Sequence, residues 1–371
     1  MRSRPFAGLG RWQLARRIVA PALFVGALFV SVFTYEPPPA PTLEDLALDE
    51  VTLSGESLGT TWTVRVVGDA PDVAGQQALA DAISEALTEV DQLMSTWKED
   101  SELSRLNRWD QPEPFDVSPL TMAVLMRAEQ VWQETSGSFD VTVFPLVKLW
   151  GFGGAEPAEQ VAEQVWLDVQ HNVGQQHVTL DHQAPSVTKA VPGLTVDLSA
   201  IAKGYAVDRV ALAVSRLGYD DHMVEVGGEV RATGHNRLKR PWRIAVEKPD
   251  TMSRTTETAV ALSDLSMATS GDYRNFREVD GKRVSHIIDP RTARPAEHAL
   301  ASATVLHREC AFADAYATAM MVLGPDAGLA LAEQLKLPVL LLVRDPDGSF
   351  VHLESSAFET HRRATPALPA G

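Results

Sequence analysis

The amino-acid sequence predicts an α+β protein whose core is a mixed β-sheet with packed helices, preceded by one N-terminal transmembrane or signal segment. Stretches with the apolar spacing of helices are interspersed with stretches that alternate as strands do. Predicted strands often follow one another without an intervening helix, which favours α+β over a doubly wound sheet. Hydrophobic residues make up 45% of the 371 residues, enough for one large unit with appendages or for two domains.

The N-terminal residues predict a membrane anchor. Five arginines lie within residues 1–17, and residues 18–35 contain no charged side chain. As a helix, this uncharged run would be about 27 Å long and would nearly span a bilayer. The positive-inside rule then predicts a basic cytoplasmic N-terminus, a signal anchor at 18–35 and export of the remainder. A cleaved signal peptide and a core helix are the alternatives for this run. Residues 36–47, "EPPPAPTLEDLA", are typical of a stiff proline-rich tether.

The main domain is predicted at residues 48–358, followed by a disordered tail at 359–371. Strand alternation begins at Thr60, and apolar residues then recur at helical spacing from Leu79 to Met94. A second helix is predicted from Pro119 to Thr135, and a strand end followed by a helix at 196–210. The other predicted strands are 139–144, 177–180, 186–191, 222–232, 242–247, 257–262, 283–288, 301–306 and 338–344.

The charge of the chain excludes one large class of partners. Asp and Glu number 49 against 33 Lys and Arg, which gives a formal net charge of -16. This charge repels the phosphates of nucleic acids, so we expect no DNA or RNA partner. The single cysteine, Cys310, cannot form an intrachain disulfide and is expected to be a small buried residue.

Five stretches carry polar residues within apolar surroundings and are the candidate functional sites. In the first, Gly59 allows close approach of the backbone, although a strand start explains it equally well. In the second, Trp97 could stack on an aromatic ligand or cap the core. In the third, "TSGSFDVTVFPLVKLWGFG" at 135–153, aromatic residues cluster as in a core, but Asp140 requires a partner or a ligand.

The remaining two stretches suggest phosphate and metal binding. "VDLSAIAKGYAVDRV" at 196–210 places Asp197 and Lys203 around Gly204. Farther on, Asp314 and Thr318 stand four residues apart on a predicted helix, so their oxygens share one face. Hard oxygen ligands with positions left open for phosphate suit Mg²⁺. A solvated helix face would have the same spacing.

Taken together, these stretches resemble the ApbE family, the FAD:protein FMN transferases of the bacterial cell envelope. The resemblance extends from about Leu53 to Leu335 and implies an ApbE-like fold. It rests on six motifs in order, namely "TSGSFDVTVFPLVKLWGFG", "VDLSAIAKGYAVDRV", "VEVGGEVRATG", "TSGDYRNF", "SHIIDPRT" and "DAYATAMMVLG". It implies a catalytic domain on the periplasmic side of the bacterial inner membrane. Family members are commonly held there by a lipid on cysteine, which this chain lacks, so the hydrophobic anchor would replace it.

The resemblance also implies the chemistry. Family members bind FAD and Mg²⁺, move FMN onto a Thr or Ser hydroxyl of a partner protein and release AMP. The implied acceptors are exported subunits of membrane redox complexes. In this chain the implied Mg²⁺ ligands are Asp314, Thr318 and the backbone carbonyl of Ala200, which would stabilise the leaving phosphate.

Further site residues are carried over from the same resemblance. His286 is expected to take the proton of the acceptor hydroxyl, because imidazole titrates near neutrality, with Asp314 as the second catalytic residue. A structural histidine is the alternative. Ala293 stands where the family usually has glycine, and Leu58 where it often has methionine. The residues expected to bind FAD are Leu58, Trp97, Ser138, Phe139, Asp140, Asp197, Lys203 and Ile287.

Two other functions stay open at this point. If water replaced the protein hydroxyl, the same residues would make an FAD pyrophosphatase that yields FMN and AMP. Alternatively, the domain could be a non-catalytic FAD-binding assembly module of a membrane redox complex. The presence of both Asp314 and His286 speaks against the second alternative, whereas the sequence barely separates the first from the transferase.

Overall fold

A computed structural model of the chain describes residues 48–69, 71–152, 163–249, 256–272, 276–279 and 282–364. The predicted cytoplasmic N-terminus (1–17), signal anchor (18–35) and tether (36–47) therefore lie outside the described residues. The same holds for 365–371 of the predicted tail.

The strands of the described residues form one large sheet and several small ones. The large sheet has eight strands in the order β1-β2-β6-β7-β10-β15-β16-β17. In chain order the strands are β1 (Glu50–Ser57), β2 (Thr60–Val67), β3 (Phe115–Asp116), β4 (Val178–Asp181), β5 (Ser186–Lys189), β6 (Asp221–Val226), β7 (Glu229–Thr233), β8 (Trp242–Glu247), β9 (Thr256–Leu262), β10 (Leu265–Gly271), β11 (Phe276–Val279), β12 (Lys282–Ser285), β13 (Ile288–Asp289), β14 (Arg294–Pro295), β15 (Leu300–His307), β16 (Val339–Arg344) and β17 (Phe350–Glu354).

The α+β prediction is confirmed, but the large sheet is not mixed. Every neighbouring pair within it runs antiparallel. Short turns join β1 to β2 and β6 to β7, and turns of this length permit only antiparallel pairing. The helical connections between β2 and β6 and between β15 and β16 also return the chain in the antiparallel direction.

Helix boundaries follow local capping signals. The side chains of Asp72, Ser101 and Ser118 each accept a hydrogen bond from a backbone N–H in the first turn of the helix that follows. The helices are α1 (Val73–Met94), α2 (Glu102–Arg108), α3 (Pro119–Glu134), α4 (Phe144–Leu149), α5 (Glu163–His171), α6 (Ala202–Arg216), α7 (Cys310–Leu335) and α8 (Ser356–Ala364). The two early helices that the apolar spacing predicted are thus confirmed as α1 and α3.

The large sheet has an apolar core on each face. On one face, residues such as Val224 and Leu341 pack with α1, α3, α6 and α7. On the other face, their neighbours Met223 and Leu342 pack with the β8–β9 hairpin and with Phe358 of α8. Adjacent residues of one strand point to opposite faces, so both layers are encoded in continuous apolar strands. The face that carries α6 and α7 also carries the candidate site.

One described helix, α7, is long and apolar enough to span a membrane by length and composition alone, with 26 residues and a mean hydropathy of 1.2 over its most apolar 18 residues. It packs in the core, where Ala313, Ala317 and Met320 are fully buried. Its composition therefore reflects its position within the fold. Cys310, at its first turn, is also fully buried, as the sequence predicts.

Three local predictions are wrong. Residues 139–143 form a turn that leads into α4 instead of a strand, because Asp140 accepts hydrogen bonds from Thr142. Residues 195–198 have no regular secondary structure, and the backbone of Val196 is hydrogen-bonded to the side chain of Asn107 instead of to a strand. Residues 359–364 of the predicted tail are helical in α8, since the burial of Phe358 holds that helix on the sheet.

Candidate active site

A cavity of about 760 Å³ lies beside the N-terminal half of α7. Its wall combines the turn before α4, the segment that leads into α6, the end of β10 and the loop after β12. These segments are far apart in sequence. All but one of the site residues predicted from the sequence line it, namely Trp97, Ser138, Phe139, Asp140, Asp197, Ala200, Lys203, His286, Ile287, Asp314 and Thr318.

Leu58 is the exception. It does not line the cavity but lies in the turn between β1 and β2, where it packs against the apolar core. Leu58 and Gly59 both have positive φ, 54° and 71°, as a two-residue type I′ hairpin requires. Leucine is uncommon in this conformation, and such strain tends to occur near functional sites. The role of Leu58 in FAD binding stays a prediction.

Asp314 is held against the start of α6. Its side chain is 3% exposed, and its Oδ2 accepts a hydrogen bond from the Gly204 backbone N–H at 3.0 Å. The lack of a side chain at Gly204 makes this approach possible, because a Cβ there would lie 2.3 Å from the carbonyl oxygen of Cys310. Gly204 thus admits the backbone of α7.

The ammonium of Lys203 stands between two carboxylates. Its Nζ lies 3.3 Å from Glu229 Oε1 and 3.6 Å from Asp314 Oδ1. Burial alone would lower the pKa of Lys203, but these two carboxylates hold it above its ordinary value. Lys203 is therefore firmly cationic, as a residue that faces phosphate needs to be.

Glu229 is a site residue that the sequence analysis missed. It follows the Gly227–Gly228 turn at the start of β7, lines the cavity and is only 4% exposed. Burial raises the pKa of Glu229 above its ordinary value, and the Lys203 ammonium only partly offsets this. The available signal was an acidic residue directly after two glycines in an otherwise apolar hairpin.

Asp197 is positioned by a side chain that the sequence analysis also missed. The amide of Asn107 makes both possible hydrogen bonds to the backbone of Val196, at 2.7 Å to N and 2.8 Å to O. The Asp197 N–H donates to the Val141 carbonyl at 2.7 Å, and Asp197 Oδ1 accepts from the Ser199 N–H at 2.9 Å. Burial raises the pKa of Asp197. This segment thus places Asp197 at the cavity without strand partners.

Asp140 has protein partners for both oxygens. Oδ1 accepts from the N–H and the hydroxyl of Thr142 at 2.8 and 2.6 Å, and Oδ2 accepts from the Gln175 N–H at 2.9 Å. Burial nevertheless raises its pKa. Asp140 lines the cavity and also shapes the turn that carries its neighbours. Ser138 and Phe139 are tied to Thr135 in the same turn.

Aromatic side chains form much of the remaining wall. Trp97 is 82% exposed although it lines the cavity, so it does not cap the core and is accessible to stack on a planar ligand. Phe152 lies with its ring centroid 6.3 Å from the His286 ring in an edge-on arrangement. Phe139 also lines the cavity and is buried.

The expected cation ligands are hard oxygens on neighbouring elements. Asp314 and Thr318 share one face of α7, and the Thr318 hydroxyl lies 3.3 Å from the Ser270 hydroxyl at the end of β10. Ala200 precedes α6 and lines the same cavity. No group of three or more His, Cys, Asp or Glu residues suited to a metal occurs in the described part of the chain. The expected Mg²⁺ ligands do not form such a group, because they are one carboxylate, one hydroxyl and one backbone carbonyl. Oxygens of these kinds fit Mg²⁺.

Comparison with known proteins gives consistent matches. The sequence model of the ApbE family matches residues 58–341. A FAD:protein FMN transferase of Vibrio cholerae serotype O1 is 43% identical over 312 residues, which cover 84% of this chain and 92% of the relative. The protein of that name from Haemophilus influenzae is 42% identical over 314 residues, covering 83% and 90%.

Solved structures agree with the sequence comparison. The flavin transferase ApbE from Vibrio cholerae superposes with a TM-score of 0.77 at 42% identity, covering 85% of this chain and 99% of that one. The apo form of the Pseudomonas stutzeri flavinyl transferase ApbE also gives 0.77, at 34% identity, with coverages of 85% and 97%. The resemblance inferred from the motifs is therefore confirmed, and the chain belongs to the ApbE family.

Proposed function

We propose that this chain is a Mg²⁺-dependent FAD:protein FMN transferase that attaches FMN to a Thr or Ser hydroxyl of an exported protein and releases AMP. The observation that carries the proposal is the cavity in which Lys203, the Asp314–Thr318 face of α7 and His286 meet. Its curated relatives bear the name of this activity. The cavity volume of about 760 Å³ suits a ligand with two ring systems.

Different residues have different roles in the proposed reaction. Asp314, Thr318 and the Ala200 carbonyl would hold Mg²⁺, which when bound supplies a Lewis acid for the pyrophosphate. Lys203 orients the phosphates by its fixed positive charge. His286 accepts the proton of the acceptor hydroxyl as its oxygen bonds to the FMN phosphorus. The bond from that phosphorus to the AMP oxygen breaks, and AMP leaves with the electron pair.

The remaining FAD contacts position the flavin. Trp97 offers a stacking face, and Phe139 with Ile287 contributes apolar wall. Asp197 presents a carboxylate on a segment that is fixed by hydrogen bonds at both of its ends. Rigid placement of these groups reduces the entropy lost when the substrate binds.

The proposed location follows from the N-terminal sequence. The arginines of residues 1–17 and the uncharged run 18–35 support an anchor in the bacterial inner membrane, with the catalytic domain on the periplasmic side. The acceptors would then be exported subunits of membrane redox complexes. Protease accessibility of the domain in spheroplasts tests this: cleavage supports the proposal, and protection until lysis refutes it.

The activity is tested with the full-length protein, FAD, Mg²⁺ and a peptide that carries an acceptor threonine. Mass spectrometry follows the acceptor and AMP together. We expect one FMN on the acceptor with equimolar AMP, lost in Asp314→Ala and retained in the control Asp347→Ala, which changes an exposed surface carboxylate. Free FMN with unmodified acceptor would instead indicate a pyrophosphatase, and bound but intact FAD a binding module.

A further inference from the structure

Glu229 is a buried carboxylate in the cavity wall that has no role in the reaction described above. Its side chain is 6% exposed, and its Oε1 lies 3.3 Å from Lys203 Nζ. Its other oxygen, Oε2, is buried and has no hydrogen-bond partner within the described residues. An unpartnered buried carboxylate oxygen is costly, so Oε2 retains the capacity to accept a hydrogen bond.

The same ammonium also engages the expected cation ligand. Lys203 Nζ lies 3.6 Å from Asp314 Oδ1, while Asp314 Oδ2 is held by the Gly204 N–H. Among the described residues, no backbone N–H donates to Asp314 Oδ1. A divalent cation that binds there has to compete with the Lys203 ammonium for one oxygen.

We propose that Glu229 is the counter-ion that takes the Lys203 ammonium from Asp314 when a divalent cation binds. This role rests on the proposed function only in treating Asp314 as a cation ligand. An ammonium carries three N–H donors, and the unpartnered Oε2 of Glu229 can accept one of them. Lys203 therefore keeps a paired charge after it leaves Asp314, and Asp314 becomes free to bind the cation.

The charges of this cluster support the exchange. With Glu229 ionised beside the ammonium, the cluster of Glu229, Asp314 and Lys203 carries one net negative charge, which attracts a cation into a low-dielectric cavity. Without Glu229 the remaining pair would be neutral, and of the two carboxylates only that of Asp314 would be left to pair with the Lys203 ammonium. The cation would then be attracted less strongly by the cluster. It would also compete for Asp314 with an ammonium that has no other carboxylate partner in the cluster.

The test is a Mn²⁺ titration of the full-length protein, followed by electron paramagnetic resonance, without FAD or acceptor. We expect Glu229→Gln to weaken Mn²⁺ binding by about tenfold or more. In a Lys203→Met background, where the competing ammonium is absent, the same change should cost about threefold or less. Glu229→Asp, which keeps the charge, should retain most of the affinity.

A control variant and the opposing outcomes distinguish the exchange from a direct effect of Glu229 on the cation. Glu89→Gln removes a carboxylate from an ion pair with Arg209 that does not line the cavity, and it should leave Mn²⁺ binding unchanged. Equal losses from Glu229→Gln in both backgrounds would mean direct action on the cation and would overturn the exchange. A wild-type protein that binds no Mn²⁺ would overturn both the exchange and the cation site. Failure of FMN transfer with an intact Mn²⁺ result would refute only the proposed activity.

Discussion

Replacing Gly204 with alanine should disrupt the contact between α6 and α7 beside the proposed cation site at Asp314. The new Cβ would stand 2.3 Å from the Cys310 carbonyl oxygen and 2.9 Å from the Ala311 Cα. Both are backbone atoms, which cannot rotate away as a side chain can. Real Cβ contacts do not fall below 3.0 Å, so the two helices must separate by at least the difference between 2.3 and 3.0 Å.

The cost follows from two contributions. Overpacking of this kind costs about 1–3 kcal/mol. The separation also lengthens the bond between the Gly204 N–H and Asp314 Oδ2, now 3.0 Å, and a hydrogen bond to a charged group contributes about 1.5–3 kcal/mol. We therefore expect Gly204→Ala to lower the free energy of unfolding by about 3–5 kcal/mol and to weaken Mn²⁺ binding in the folded fraction.

Urea unfolding followed by tryptophan fluorescence measures the first effect, and the Mn²⁺ titration the second. Gly328→Ala is the matched control, because it lies in α7 and its nearest neighbour is the flexible side chain of Met320, with Sδ at 3.3 Å. That change should stay within about 1 kcal/mol of wild type. If Gly204→Ala were as stable as Gly328→Ala and bound Mn²⁺ normally, close backbone approach would not explain the glycine.

Three further outcomes are expected. Asn107→Ala removes both hydrogen bonds to the Val196 backbone, so it should destabilise the fold by about 1–3 kcal/mol. It should also raise the KM for FAD more than it lowers kcat, and an unchanged KM in steady-state kinetics would contradict the positioning of Asp197 by Asn107. His286→Gln should reduce FMN transfer by about a hundredfold or more while FAD binding, measured by flavin fluorescence, is kept; near-normal transfer would exclude it as the base. Burial lowers the pKa of His222 below its ordinary 6.5, so the unfolded chain binds its proton first and stability should fall as pH drops below 6.5. Urea midpoints between pH 7.5 and 5 should show a shallower decline in His222→Gln than in wild type, and no such change in His182→Gln, which alters an exposed histidine.

Local patterns predicted most elements because neighbours in the chain determine them. Apolar spacing identified α1 and α3. The strands predicted at 242–247 and 257–262 agree with β8 and β9, whereas the single strand predicted at 222–232 is divided into β6 and β7 by the turn at Gly227 and Gly228. The pattern failed at residues 139–143, where apolar alternation is present but the side chain of Asp140 closes a turn. The hydrogen bonds that the Asp140 side chain accepts from Thr142 override the strand tendency of the alternating residues around it.

The sequence by itself determined the α+β class, the family and the residue types of the site, because six ordered motifs carry them. It also determined that Asp314 and Thr318 share a helix face, since a spacing of four residues suffices. Only the tertiary structure decided that Glu229 and Asp314 share the Lys203 ammonium, and that Gly204 serves a backbone contact. Gly204 and Asp314 are 110 residues apart, and a contact across that distance depends on how α6 and α7 pack, which no local spacing encodes.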